Sequence, residues 1–251
     1  MFSLDNTIVN QFKSNSQKVR IMTEKWVWDN IFCPNCWNQI LHYENNRPVA
    51  DFFCKNCEEE YELKSWKKLW KKITDWAYFT MIERLKSTKN PNLFFLNYDN
   101  NLLIRNFIII PKHFFTNSVI EKRNALWDSA RRAWWIWCNI LFSKIPEAWK
   151  IFYIKNWEKL EKKDIISQRK KTLFIREEKW ESRWWTLEII KCIELLNKKD
   201  FSLNEVYSFE ESLKEKFSNN NFIKDKIRQQ LQILRDKDFL EFLWNWKYRL
   251  L

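Results

Sequence analysis

Two Cys-x2-Cys pairs, Cys33-Pro-Asn-Cys36 and Cys54-Lys-Asn-Cys57, separated by residues 37–53, constrain this chain more than any other feature. Four thiolates on two knuckles suit a closed, tetrahedral Zn2+ site, with no open position for catalysis. The metal is therefore expected to be structural. Two disulfides in a secreted protein are the competing reading, and the absence of a signal peptide argues for a reducing compartment instead. If the knuckles meet on one ion, the segments on either side of the second knuckle are forced side by side.

Those segments carry chemistry. Asp51 lies just before Cys54, and Glu62-Leu-Lys64 lies just after Cys57. Residues two apart on a strand share a face, so Glu62 and Lys64 point one way and Leu63 the other. An aspartate ending the neighbouring strand adds a second carboxylate. Asp51 and Glu62 together suit a hard, oxygen-seeking ion such as Mg2+. Lys64 is then placed to orient or help deprotonate an attacking water. This is the pattern of PD-(D/E)xK nucleases. Acid-x-Lys triplets also occur on solvated strands, so the surroundings decide between the two readings.

Charge favours the nuclease. The formal net charge is +12 over 251 residues, which selects a polyanionic partner. No long apolar run is present, so a soluble, cytoplasmic protein without membrane contact is expected.

The chain has no glycine and 17 tryptophans, where ordinary usage of about 7% glycine gives roughly 18. Trp37 follows the second cysteine of CPNCW, where a knuckle turns with positive φ. Trp244 and Trp246 bracket Asn245 between two strand-like runs, where a hairpin wants glycine. The composition points to a gene whose UGA codons mean glycine but are read here as tryptophan. UGG codons at Trp37, Trp244 and Trp246 would exclude this.

Along the chain, residues 1–30 read as two helices packed on the core. Ile73, Ala77, Tyr78, Met81, Ile82 and Leu85 recur at helical spacing, predicting an amphipathic helix through 65–85 whose lysines Lys67, Lys68, Lys71 and Lys72 can meet phosphates. NLFFLNY and NLLIRNFIIIP read as buried strands, and KIFYIKN as a last strand before surface segments over 158–171. Cys138 and Cys192 read as buried thiols. Arg131 and Arg132, close to Trp135, suit phosphate contact beside an aromatic that stacks; a buried core tryptophan is the simpler alternative.

From about residue 181 the texture becomes helical and polar. Helices over 186–196, 203–217 and 219–237, then a hairpin over 239–251, follow winged-helix order. Ile223, Ile227, Leu231 and Leu234 form the core stripe of the third helix. Arg228, Gln229 and Gln232 face away from it, flanked by Lys224 and Lys226, and these residue types suit base edges and phosphates.

Over nearly its full length the chain resembles the DpnI-like, methyl-directed restriction endonucleases. The similarity is densest in KSNSQKVRI, CPNCW, ENNRPVADF, YELKS, ARRAWWIWCNI and KIRQQLQILRDK. The resemblance implies that Asp51, Glu62 and Lys64 are catalytic and that Cys33, Cys36, Cys54 and Cys57 hold zinc. It implies that Trp135 senses the adenine methyl groups. It also implies cleavage of both strands at GATC carrying N6-methyladenine, with the winged helix reading the same methylated sequence. The family has glycine at positions matching Trp37, Trp76, Trp134, Trp137, Trp184, Trp244 and Trp246, and tryptophan at those matching Trp135 and Trp185.

The expected architecture is therefore mixed α/β. A PD-(D/E)xK core with an inserted four-cysteine zinc site occupies residues 1–180, and a winged helix occupies 181–251. The expected partner is adenine-methylated double-stranded DNA, engaged by a monomer with Mg2+ and Zn2+ as cofactors. A nuclease with another modified-DNA target, and a non-catalytic zinc-ribbon and winged-helix regulator, are the alternatives.

Overall fold

The computed structural model describes residues 2–43, 50–67, 71–86, 90–125, 127, 129 and 135–251. The chain divides into two compact units, Met1–Arg169 and Lys170–Leu251.

The first unit runs α1 (Asn15–Asn30), β1 (Leu41–His42), β2 (Phe52–Phe53), β3 (Glu60–Trp66), β4 (Ile73–Ala77), α2 (Tyr78–Lys86), β5 (Asn92–Tyr98), β6 (Ile104–Ile110), β7 (Ile120–Lys122), β8 (Trp137–Ile140), β9 (Ile151–Lys155) and β10 (Glu158–Lys159). Helix α3 (Lys162–Glu177) runs across the division between the units. Seven strands form one sheet in the order β1-β2-β3-β5-β6-β9-β10, and β4, β8 and β7 form a second. Only the β3–β5 pair of the large sheet is parallel; its other neighbours are antiparallel.

Apolar side chains explain the centre of the sheet. Every residue of β5 is buried, as is all of β6 except Arg105. Phe52, Tyr61, Phe94, Phe107 and Tyr153 meet Trp26 and Val27 of α1 in one core that also holds Cys33 and Cys54. Helix α1 thus covers the face of the sheet next to the cysteine knuckles.

Two expectations fail in this unit. Among the described residues of 1–30 only one α-helix forms, preceded by a single 3-10 turn. Asp5 accepts hydrogen bonds from the Thr7 amide (2.9 Å) and hydroxyl (2.6 Å), which turns the chain after a single 3-10 turn at Thr7–Val9 and lets Ser3 bridge to Leu103. Residues 65–85 are not one helix either. Trp66 ends β3, and Ile73 and Thr74 pair with Ile140 and Asn139 of β8; cross-strand partners for β-branched residues outweigh the helical spacing. The helix begins only at Tyr78. Downstream, the charged run over 158–171 is largely exposed, as expected of surface segments, and it forms β10 and the first half of α3.

The second unit contains α4 (Trp180–Leu195), β11 (Asp200–Ser202), α5 (Leu203–Tyr207), α6 (Glu210–Lys216), α7 (Ile223–Asp236), β12 (Leu240–Phe242) and β13 (Lys247–Leu250). Its sheet order is β11-β13-β12, a short strand closing on the hairpin in the winged-helix manner. Ser202 caps α5 through a capping box with Glu205. The Ser208 hydroxyl donates to the Glu205 carbonyl at 2.6 Å and ends that helix, so the expected single helix over 203–217 is two. Ile223, Ile227, Leu231 and Leu234 are all buried.

The backbone is informative about tryptophan. Trp37, Trp157 and Trp246 have φ of 65°, 69° and 57°, a region where a bulky L-residue is an outlier. Asn156-Trp157 is the two-residue loop between paired Lys155 and Glu158, and both loop residues have positive φ. Asn245-Trp246, at the β12–β13 tip, repeats the pattern. In the two-residue Asn156-Trp157 loop, consecutive positive φ is the type I′ turn that Asn-Gly fills; the β12–β13 tip is the longer loop between Leu243 and Lys247. Trp244, Trp137 and Trp184 lie outside the positive-φ set, so their backbone makes no such demand.

Candidate functional site

Strands β2 and β3 form a hairpin in register Phe52↔Tyr61 and Phe53↔Glu60, and the second cysteine knuckle is its tip. The Cys54 amide donates to the Glu59 carbonyl and the Glu58 amide to the Cys54 carbonyl, each at 2.9 Å. The first knuckle repeats this geometry, with the Trp37 amide donating to the Cys33 carbonyl at 2.9 Å. All four sulfurs lie within 4.8 Å of one another, with Cys33–Cys57 at 3.5 Å and Cys36–Cys54 at 3.4 Å. Tetrahedral Zn–S bonds of about 2.3 Å place sulfurs roughly 3.8 Å apart, so the cluster fits zinc. Burial pushes the Cys36 thiol up, but hydrogen bonds from the Asn38 side chain and backbone outweigh it and bring the group down to about 6. A thiol so placed gives up its proton readily to a metal.

The hydroxyl of Tyr61, a fully buried side chain, lies 3.1 Å from Cys33 Sγ. Its neighbour on β3, Glu62, faces the other way. Tyr61 thus ties the zinc side of the strand to its carboxylate side. Sequence reasoning passed over Tyr61, although strict alternation from Glu62 pointed to it.

Asp51 sits where β2 begins. Its backbone amide donates to the Tyr61 carbonyl at 2.9 Å, and its carboxylate accepts from the Leu63 amide at 2.7 Å. This places Asp51 directly opposite Glu62. Burial raises the Asp51 carboxyl above its ordinary range; the Leu63 amide opposes this, Glu24 adds to it, and Lys64 and Arg20 offset it. Glu24 and Arg20 stand on α1, paired at 2.6 Å, and Glu24 also meets His42 at 3.2 Å. No motif in the sequence signalled this helix as part of the site's electrostatics.

Glu62 is buried, and its Oε1 lies 2.5 Å from Lys64 Nζ. The structure therefore brings Asp51, Glu62 and Lys64 to one end of the hairpin whose other end holds the cysteines. Beyond Glu62, a cavity of about 10 Å³ is bordered by Glu62, Asn92, Met81 of α2 and Ile140 of β8, so the small sheet packs against the carboxylate strand. Glu59 is buried between Asn92 Nδ2 at 2.8 Å and Lys112 Nζ at 3.2 Å.

Trp135 is half-buried and leads into β8, with its ring 6.0 Å from that of Trp137. Arg131 and Arg132 lie outside the described residues. On α7, Lys224, Arg228, Gln229 and Gln232 are exposed and Lys226 is half-buried. Several are engaged locally: Lys224 with Glu210 at 3.1 Å, Lys226 with Gln229 at 2.8 Å, and Arg228 with Asp225.

An α/β unit in which acidic and basic side chains converge at the base of a hairpin tipped by four clustered cysteines is followed by a unit with winged-helix element order. Residues 1–178 match the family described as DpnI, the Dam-replacing family, and residues 181–250 match DpnI_C, the Dam-replacing HTH domain. The chain belongs to the DpnI, Dam-replacing family, and is thereby a nuclease with a C-terminal DNA-binding domain. Among the described residues no helix is long and apolar enough to cross a membrane.

Proposed function

We propose that this protein is a cytoplasmic, monomeric restriction endonuclease that cuts both DNA strands at GATC containing N6-methyladenine, in a Mg2+-dependent reaction. The observation that carries the reading is the meeting of Asp51, Glu62 and Lys64 at one end of the β2–β3 hairpin in a member of the DpnI family.

Each residue has a definite task. Asp51 and Glu62 supply the oxygen ligands that Mg2+ requires, and the ion, when bound, offsets the charge that develops on the phosphate being cleaved. Lys64 now neutralises Glu62. With a metal held by the two acids, the Lys64 ammonium would orient a water whose oxygen bonds to phosphorus as the bond to the 3′-oxygen breaks, leaving a 5′-phosphate and a 3′-hydroxyl that takes up the proton the water gives off. The Leu63 amide fixes the second Asp51 oxygen, which leaves the first for the metal. The four cysteines hold Zn2+ and fix the hairpin from the far end.

Recognition divides between the units. The +12 charge draws the protein to DNA without regard to sequence. Trp135 packs against the adenine methyl groups, and burying a methyl on an indole gives about 1 kcal/mol per methyl; shape rejection adds the rest. Arg131 and Arg132 take phosphates beside it. In the winged helix, Arg228, Gln229 and Gln232 face base edges, and Lys224 and Lys226 face the backbone.

The test is a pair of plasmids, identical except for adenine methylation at GATC, incubated with Mg2+ and protein made with the UGA codons of its gene read as glycine. Cutting of the methylated copy alone is expected, and Asp51→Ala abolishes it. Equal cutting of both removes the methyl reader. Binding without cutting removes the nuclease.

A further inference from the structure

The turn where β4 becomes α2 holds an aromatic side chain that the active-site reading leaves unused. Phe79 is 64% exposed, although it sits in the first turn of a helix with an apolar inner face. Helix geometry gives the reason: residues two apart differ by about 200°, so Met81, only 7% exposed and bordering the cavity beside Glu62, turns the Phe79 ring outward. A lone exposed aromatic is ordinary. This one has company.

Lys122, the last residue of β7, places Nζ 5.3 Å from the centroid of the Phe79 ring and 5.6 Å from that of Tyr78. The two rings meet edge-on at 5.5 Å. The acidic neighbour on β7, Glu121, is held by Lys72 at 2.7 Å and by Asn139 at 2.8 Å, so the Lys122 charge faces out over the rings uncancelled by it. The same turn is bonded to the segment that carries Trp135. The Tyr78 amide donates to the Ile136 carbonyl at 2.8 Å, and Ala77 pairs with Trp137.

We infer that Phe79, with Lys122 over its ring, is a DNA-contact element on the small sheet: the ring inserts at a base step of the bound duplex and the ammonium takes the adjoining phosphate. The occupant is double-stranded DNA because the pair offers a π-face and a cation together, and because the surface is bonded to the segment that carries Trp135. An apolar wedge at a base step unstacks it, and a nearby Lys adds the phosphate contact that holds the register. The inference rests on the nuclease reading above.

The experiment uses the full chain in an Asp51→Asn background, which keeps the complex uncut, and a duplex carrying methylated GATC with 2-aminopurine beside the site. Binding is expected to raise 2-aminopurine fluorescence as the step unstacks. Phe79→Ala abolishes the rise and weakens binding by about 5- to 150-fold, the range that base–aromatic stacking spans; Phe79→Leu retains part of both. Lys122→Ala lowers the slope of log affinity against log salt by about one phosphate contact, and it serves alone if Phe79→Ala does not fold. Phe79→Ala and Lys122→Ala both matching their parent overturn the inference while leaving the nuclease intact. Protein prepared as for the plasmid test, without these substitutions, that neither binds nor cuts methylated DNA removes the nuclease reading and this inference together.

Discussion

The sharpest prediction concerns the two Asn-Trp hairpin turns. At Trp157 and Trp246 the left-handed backbone costs an L-residue about 1–2 kcal/mol, a penalty that glycine does not incur. Glycine gives back about 0.5–1 kcal/mol through its freer unfolded chain. Replacing tryptophan also removes the indole: Trp157 loses the Arg105 guanidinium 4.8 Å above its ring, and Trp246 loses an edge-on contact with Phe242 at 6.3 Å. Comparing Gly with Ala at the same position cancels that loss, because both variants lack the ring. At 157 and at 246, Gly is expected to be more stable than Ala by about 1 kcal/mol. At Trp185 in α4, stacked on Phe217 at 3.7 Å, both variants lose about 3–5 kcal/mol and Ala is favoured by about 1 kcal/mol. Urea-denaturation midpoints of the full chain measure all six variants. Ala equal to or better than Gly at both turn positions would refute the argument from φ, and with it the strongest structural support for glycine as the natural residue there. Peptide masses from cells carrying the gene test the decoding directly.

Asp51→Asn is expected to abolish cleavage, at least about 10³-fold from the lost metal contribution, yet to raise the melting temperature at neutral pH. The native carboxyl is raised above its ordinary range by burial, so its charged form opposes folding above that value. Removing zinc with a chelator is expected to unfold the β2–β3 hairpin and to stop cleavage even with Mg2+ in excess, read by circular dichroism and plasmid cutting. Tyr61→Phe is expected to weaken zinc binding by about 10-fold or more, because it removes the hydroxyl on Cys33 Sγ; chelator competition measures it. In the second unit Glu188 is fully buried between Lys191 at 3.0 Å and Lys216 at 2.7 Å. Burial pushes this carboxyl up, but the two lysines prevail and hold it below its ordinary 4.5. Its stabilisation is therefore present above pH 4.5 and lost as pH falls through the lower folded value. Acid melts should show this loss, and Glu188→Gln should flatten it.

The sequence carried the cysteine cluster, the Asp51–Glu62–Lys64 set and the apolar strands β5 and β6, because each depends on local spacing. It carried the inner face of α7 for the same reason. What it hid depends on partners far away in the chain. Ile73–Ala77 shows helical spacing but is claimed by β8, about sixty residues on, and β11 is too short to announce itself without β13 beside it. The influence of Glu24 and Arg20 on Asp51 crosses from α1 to the sheet, and nothing in either segment advertises the other. Tyr61 is the exception, because simple alternation from Glu62 marks the face it occupies. The Asn156-Trp157 turn was equally readable once tryptophan is allowed to stand for glycine.

The hairpin that joins the cysteine cluster to Asp51, Glu62 and Lys64 leaves this family member little freedom to drift in length. Between Cys57 and Glu62 the count of residues sets parity, since a single insertion exchanges the two faces of a strand. Such an insertion would turn Tyr61 toward the Asp51 side of the hairpin and the Glu62 carboxylate toward the cysteine cluster, disturbing both ends of the hairpin at once. Two inserted residues would restore the faces but slide the acid about 7 Å along the sheet, away from Asp51. Point substitutions can accumulate around this strand, but indels within it are all-or-none events for the enzyme.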